Sequence, residues 1–160
     1  MKVICVSGSV GSGKTTLSKK LARSLKFEYV DVTKEVKENK LSVGFDEKRD
    51  CEIVDEKKLL KFLIEKINKS KKNLIIDSIF SHFLPKKYVD FCIVTTCEID
   101  VLRDRLKKRK YSPEKIKENV EAEIFDSFVI EAKEKKHNLL IINTTKGYRL
   151  KEIVDFVKEI

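Results

Sequence analysis

Gly8-Ser9-Val10-Gly11-Ser12-Gly13-Lys14-Thr15 meets the pattern G-x-x-x-x-G-K-[ST] at every fixed position. Its surroundings suit it. Val3-Ile4-Cys5-Val6 is a short apolar run of the kind that forms a buried strand. Lys14–Leu25 follows with a helical pattern that puts Leu17, Leu21 and Leu25 on one face. A strand, a glycine loop and a helix, in that order, make an anion cradle. Glycine lets the backbone fold around an anion without Cβ clashes. The loop N–H groups and the helix N-terminus then point at the phosphates. Lys14 brings a mobile positive charge to the β- and γ-phosphates, and Thr15 offers Mg²⁺ a hydroxyl. A plain Gly/Ser turn before a helix shares the composition but not the complete motif in this setting. The stretch implies binding of a nucleoside triphosphate.

Outward from this loop, strands and helices alternate. Strand-like apolar runs fall at Lys2–Val6, Phe27–Val30, Asn73–Ile76, Phe91–Val94 and Leu139–Ile142. Helical patterns fall at Asp55–Asn68, Glu98–Lys108, Pro113–Lys135 and Leu150–Glu159. Such alternation predicts an α/β fold with a five-stranded, mostly parallel sheet and right-handed crossovers. Phosphate sites then lie at the carboxyl ends of strands, where Gly8–Thr15 sits. Two segments break the alternation. Asp31–Val54 is long and polar and is expected to be a substrate-binding insert. Lys107–Glu118 is basic, holds Pro113, and is expected to be a closing lid.

At 160 residues the chain suits one domain, 1–160, with a single core. Charged residues make up 38%, and the net charge of +9 permits RNA or other polyanion partners without requiring them. Lysine clusters at Lys66–Lys72, Lys86-Lys87 and Lys133–Lys136 are candidates for such contacts, or simply solvated helix ends. Cys5, Cys51, Cys92 and Cys97 form no C-x-x-C pair, and with only two histidines a zinc site is not expected. No signal peptide or membrane-spanning run is apparent, so a reduced, cytoplasmic protein without membrane contact is expected.

Three further features carry chemistry. Leu74-Ile75-Ile76-Asp77 is an apolar strand ending in a carboxylate, the pattern in which an Asp holds Mg²⁺ directly or through water. A turn cap would read the same way. Arg105 and Arg109 sit at i and i+4 on one helix face, where two planar guanidiniums can clamp a transferring phosphoryl group. A solvated basic face would also place them so. Asn143-Thr144-Thr145-Lys146 follows the last strand, which is expected beside or near the loop strand. This turn is a candidate for the adenine edge or an ordinary strand-to-helix connection.

At this point the chain resembles the adenylate kinase isoenzyme 6 family, also called the coilin-interacting nuclear ATPase type, in its archaeal form. The likeness runs over nearly the whole chain. It rests on Gly44-Phe45-Asp46-Glu47-Lys48-Arg49-Asp50-Cys51-Glu52-Ile53-Val54-Asp55-Glu56 and on Asp77 followed by His82-Phe83-Leu84-Pro85. It also rests on Arg105-Leu106-x-x-Arg109-x-Tyr111 and Asn119-x-x-x-Glu123-Ile124-Phe125. The resemblance implies a P-loop nucleoside monophosphate kinase fold with a short lid and no zinc. It implies phosphorylation of a nucleoside monophosphate, chiefly AMP, by ATP with Mg²⁺, together with ATPase activity. A role in small ribosomal subunit assembly, with a small-subunit ribosomal protein and rRNA as partners, comes with it. By position, Gly11, Gly13, Lys14, Thr15 and Thr16 would bind ATP, as would Arg109 and Lys146. Asp31–Val54 would take the monophosphate, with Asp31, Asp46 and Asp50 as its candidate contacts. Lys14, Asp77, Arg105 and Arg109 are the candidate catalytic residues, with Thr15 and Asp77 for the metal.

The chain departs from the family pattern in two places. Ile79 stands where the family often has a His, with His82 three residues further on. Thr33-Lys34 stands where members often carry Gly-Asp. Two alternatives remain beside the kinase: a ribosome-assembly ATPase whose nucleotide cycle times binding and release, and a small-metabolite kinase. Asp31-Val32-Thr33 lacks the Asp-x-Asp typical of shikimate kinases. A Cys/His hydrolase built on Cys51 and His82 has no pairing in the sequence to support it.

Overall fold

The computed structural model describes residues 1–160. Strand β1 (Val3–Ser7) leads through the glycine loop into helix α1 (Lys14–Leu25), and then come β2 (Glu28–Asp31) and α2 (Val32–Glu38). A hairpin of β3 (Ser42–Asp46) and β4 (Cys51–Val54) precedes α3 (Glu56–Lys69) and β5 (Leu74–Asp77). The second half is β6 (Phe91–Thr96), α4 (Ile99–Lys108), α5 (Pro113–Ile124), α6 (Ser127–Glu134), β7 (Leu139–Asn143) and α7 (Leu150–Glu159).

The five predicted strands form one parallel sheet in the order β2-β5-β1-β6-β7. Strands β1, β5 and β6 are buried nearly throughout, which is why they read as unbroken apolar runs rather than alternating ones. One face of the sheet packs Ile4, Val6, Ile75 and Ile93 against Leu17 and Leu21 of α1 and Ile153, Val154 and Val157 of α7. The other packs Val3, Cys5 and Ile76 against Val36 of α2, Leu59, Leu63 and Ile67 of α3, and Val129 and Ala132 of α6. Each large apolar side chain buried in these layers contributes roughly 1.5–3 kcal/mol. No helix is long and apolar enough to cross a membrane.

One expectation needs correction and two gain detail. The polar segment Asp31–Val54 holds a short helix and a hairpin. Asp31 caps α2 by accepting from the Lys34 N–H, Val32 and Val36 bury one helical stripe, and the β3–β4 hairpin completes the insert. The helix predicted over Pro113–Lys135 is two helices. Asp126, at φ 50°, turns the chain between α5 and α6, so that α5 lies over the glycine loop while α6 lies on the sheet. Strand β7 lies near β1 rather than beside it. It is the edge strand, with β6 between them.

Candidate active site

The sheet order places β1 between β5 and β6, so the glycine loop leaves the sheet at its centre. Gly8, at φ 135°, passes so close to β6 that a Cβ there would lie 2.5 Å from the Thr95 carbonyl oxygen. Gly11, at φ 86°, packs against Leu102 and Leu106 of α4 in the same way. The loop is then tied down from inside. The Ser12 hydroxyl donates to the Ser9 carbonyl at 2.6 Å and touches the Thr95 hydroxyl at 2.6 Å. It is also tied from outside by α5. The Ser9 hydroxyl donates to Glu123 Oε2 at 2.6 Å, and the Val10 N–H donates to Asn119 Oδ1 at 2.9 Å. Glu123 Oε1 accepts from the Cys97 N–H at 2.7 Å. Asn119 and Glu123, which the sequence offers only as a family motif, are therefore braces of the phosphate loop, one helical turn apart. Gly13 stands at the N-cap of α1, whose first-turn N–H groups are left free for an anion.

Lys14 is only 9% exposed, and its Nζ donates to the Ser9 carbonyl at 3.1 Å. Burial lowers its pKa to about 8. The nearby Arg109 pushes the same way, while Asp77 and Glu123 oppose them. Asp77, at the end of β5, stands in register with Asp31 of β2. One of its oxygens is occupied: the Tyr29 hydroxyl donates to Asp77 Oδ2 at 2.8 Å. Burial and the Asp77 carboxylate push the Tyr29 phenol upward, and the Thr15 hydroxyl pulls it partly back, so Tyr29 lies between the two metal-ligand candidates. Sequence reasoning missed Tyr29. Its only signal is an aromatic residue two places before Asp31 on the strand beside β5. Thr15 and Asp77 offer hard oxygen donors, one hydroxyl and one free carboxylate oxygen. That set suits a Mg²⁺ ion arriving with phosphate and water oxygens already bound, not one held by a protein cage.

The two arginines part company. Arg105 spends its guanidinium on the protein, donating to the Gly11 carbonyl at 3.3 Å, to Thr144 Oγ1 at 3.1 Å and to the Thr144 carbonyl at 2.9 Å. Thr144 in turn donates to the Ser12 carbonyl at 2.7 Å. Arg105 and Thr144 thus rivet the glycine loop to the turn after β7, so that of the two arginines expected to act together only Arg109 lines the cleft. Lys146 is exposed on that turn and outside the cleft wall.

A continuous cleft of about 920 Å³ runs from the glycine loop to the α2–hairpin insert. Gly11, Gly13, Lys14, Thr15, Thr16, Asp31, Asp50, Asp77 and Arg109 all line it. Asp46 does not. It accepts from the Lys48 and Arg49 N–H groups, each at 3.0 Å, and from Arg49 Nη1 at 2.6 Å, so it shapes the hairpin turn. The insert end adds an apolar wall of Val32, Val36, Phe45, Val54, Leu59 and Phe80. Ile79 faces the cleft and is 36% exposed. His82 cannot stand in for a histidine there. It is fully buried behind the sheet, 2.7 Å from Ser7 Oγ through Nδ1 and 2.8 Å from Glu131 through Nε2. Cys51 lies in the hairpin and lines the cleft, remote from His82, so no Cys/His pair exists. Cys5 and Cys92 face each other across β1 and β6, where burial pushes both thiols up and keeps them unreactive.

Comparison with known proteins agrees with this geometry. Residues 4–126 match the family described as AAA domain. The chain is 40% identical over 131 residues to the adenylate kinase isoenzyme 6 homolog of Caenorhabditis elegans, covering 82% of this chain and 72% of that one. It is 37% identical over 155 residues to a Methanocaldococcus jannaschii protein named provisionally as an adenylate kinase, covering 97% and 85% of the two chains. Among solved structures, the shikimate kinase of Acinetobacter baumannii superposes with a TM-score of 0.60 at 13% identity, over 99% of this chain and 92% of that one. At that identity the likeness is one of fold.

Proposed function

This chain belongs to the family of adenylate kinase isoenzyme 6 homologues, and on that premise we propose that it is a nucleoside monophosphate kinase acting chiefly on AMP. An oxygen of the AMP phosphate attacks the γ-phosphorus of ATP, the bond to the β-phosphate oxygen breaks, and two ADP result. The observation that carries this reading is the single cleft with a phosphate loop at one end and an apolar-walled insert at the other. Its volume of about 920 Å³ is near the top of the range for a ligand site, which supports a donor and an acceptor held together.

Transfer between two bound nucleotides is mostly positioning and charge stabilisation. The glycine-loop N–H groups and Lys14 hold the donor phosphates, and Arg109 adds charge from the lid side. Thr15 and Asp77 would hold Mg²⁺, which neutralises phosphate charge when bound. Tyr29 fixes the Asp77 carboxylate. Asp31–Val54 is the monophosphate-binding region and 107–118 the lid, with Asp31 and Asp50 as acceptor contacts.

Hydrolysis of ATP is the same chemistry with water as acceptor, so ATPase activity accompanies transfer whenever the lid closes loosely. Ile79 at the cleft wall supports transfer over hydrolysis, because an apolar side chain offers no hydrogen bond to a water there. The family resemblance also brings a second role, in small-subunit ribosome assembly alongside a ribosomal protein and rRNA, which the net charge of +9 permits. Salt-sensitive binding of structured rRNA would support that role, and absent or salt-independent binding would remove it. Four free cysteines favour a reducing, cytoplasmic setting.

The test is ATP turnover with Mg²⁺, alone and with each nucleoside monophosphate in turn. The kinase reading expects a large rise with AMP and smaller rises with the others, all abolished by Lys14→Ala. Hydrolysis indifferent to every monophosphate would favour the assembly ATPase. A rise only with a sugar or cyclic acid would favour the metabolite kinase.

A further inference from the structure

The two walls of the cleft are bridged at the β3–β4 turn. Arg49, in the β3–β4 turn, reaches across to Glu118 on α5, 69 residues away in sequence. The contact is a fork. Arg49 Nε donates to Glu118 Oε1 at 2.9 Å and Oε2 at 2.7 Å, and Nη2 donates to Oε1 at 2.7 Å. The remaining corner of the guanidinium, Nη1, donates to Asp46 Oδ2 at 2.6 Å. Beside it the Ser112 hydroxyl donates to the Lys48 carbonyl, a second bond between the lid turn and the hairpin. The hairpin and α5 share no other hydrogen bond or ion pair.

A lone exposed ion pair contributes little, since two flexible side chains must be ordered in water. This one is different in construction. Asp46 is itself locked by the turn N–H groups and holds the guanidinium in place before Glu118 arrives. The planar fork then meets both carboxylate oxygens. A pre-oriented arginine loses less freedom on pairing than a free one. Arg49 and Glu118 also both line the cleft, so the bridge spans the cleft itself rather than lying at a distance from it.

We propose that Arg49 and Glu118 are positioning residues for phosphoryl transfer, forming a latch that draws the acceptor hairpin against the lid helix and sets the closed spacing of the cleft. The inference rests on the kinase reading of the site. The latch touches neither reacting phosphate. With it shut, the acceptor pocket is held together and water is kept out. With it open, the acceptor binds more weakly and water competes. Substrate entry and product release each require it to part.

Two measurements test it, and one needs no activity. In the nucleotide-free protein with Cys51→Ser, spin labels at Glu47→Cys and Lys117→Cys report the hairpin-to-α5 distance by pulsed electron resonance. A narrow, short distribution is expected, lengthening and broadening in Arg49→Gln, in Glu118→Gln and in 1 M salt, where screening shortens to about 3 Å. In turnover, each single variant is expected to raise KM for AMP about fivefold and to raise the share of ATP lost to water, with kcat within about twofold. Arg49→Gln/Glu118→Gln is expected to be no worse than either single variant, because one interaction has been removed twice. Arg49→Lys, which keeps the charge but loses the fork, should recover only part of the effect. An unchanged distance distribution in Arg49→Gln overturns the latch and leaves the kinase reading standing. Additive losses in the double variant overturn it too. If no monophosphate is ever phosphorylated, the kinase reading falls, while the distance measurement still reports whether the latch exists.

Discussion

Lys14 holds its charge in a nearly closed place, and the consequences can be measured. Its pKa in the folded, nucleotide-free protein is lowered from 10.5 to about 8, chiefly by burial. The unfolded chain therefore keeps this proton across the window from about 8 to about 10.5 while the folded protein releases it. Over that window Lys14 makes stability rise with pH. Triphosphate binding runs the other way, because it needs the ammonium. Calorimetric titration with a non-hydrolysable ATP analogue at about pH 7 and about pH 9 should show weaker binding at the higher pH, and Lys14→Ala should lack that step. Tyr29 is the second residue with its own test. Tyr29→Phe removes the hydroxyl that holds Asp77, costing about 1 kcal/mol of stability and raising the apparent KM for Mg·ATP about fivefold. Thermal melts and a Mg²⁺ titration of turnover check the two effects. Lys14 and Asp77 were legible as residues because their motifs are local. Tyr29 was not, since its partner lies 48 residues away on another strand.

At the scale of elements, α5 is the piece whose purpose the sequence hides. Its helical period is plain, and so is its start, where Ser112 caps the first turn by accepting from the Lys115 N–H ahead of Pro113 at the first helical position. What it does depends on residues 69 to 114 positions upstream. Asn119 and Glu123 hold Val10 and Ser9, and Glu118 holds Arg49. One helix therefore braces the glycine loop and is bonded to the β3–β4 hairpin. Glu123→Ala leaves the Ser9 hydroxyl and the Cys97 N–H without their acceptor. It is expected to cost about 1–3 kcal/mol of stability and to weaken ATP binding more than AMP binding. Denaturant unfolding and separate titrations of the two nucleotides decide this. A loss confined to AMP would contradict the bracing role. The inner make-up of the insert was hard to read for a related reason. Its short helix and hairpin send few side chains into the core, and Val32 and Val36, which do join it, were the only helical signal available.

Across the whole molecule, the legible part was the part that is buried on both sides. Strands β1, β5 and β6 sit between two helical layers and announce themselves as continuous Val/Ile/Leu runs. The strand order, the break at Asp126 and the redirection of Arg105 to backbone carbonyls depend on contacts that no local pattern records. The resulting molecule is a parallel sheet presenting one glycine loop, faced by a helix-and-hairpin insert that Arg49–Glu118 and Ser112–Lys48 tie to the α4–α5 side of the cleft.

The central claim is direct transfer between two nucleotides in that cleft. Terminally labelled ATP incubated with unlabelled AMP, Mg²⁺ and the protein tests it, with separation of the products. The account predicts label recovered in ADP, dependent on AMP and absent with Lys14→Ala. Label recovered only as inorganic phosphate, at a rate AMP does not change, would contradict it.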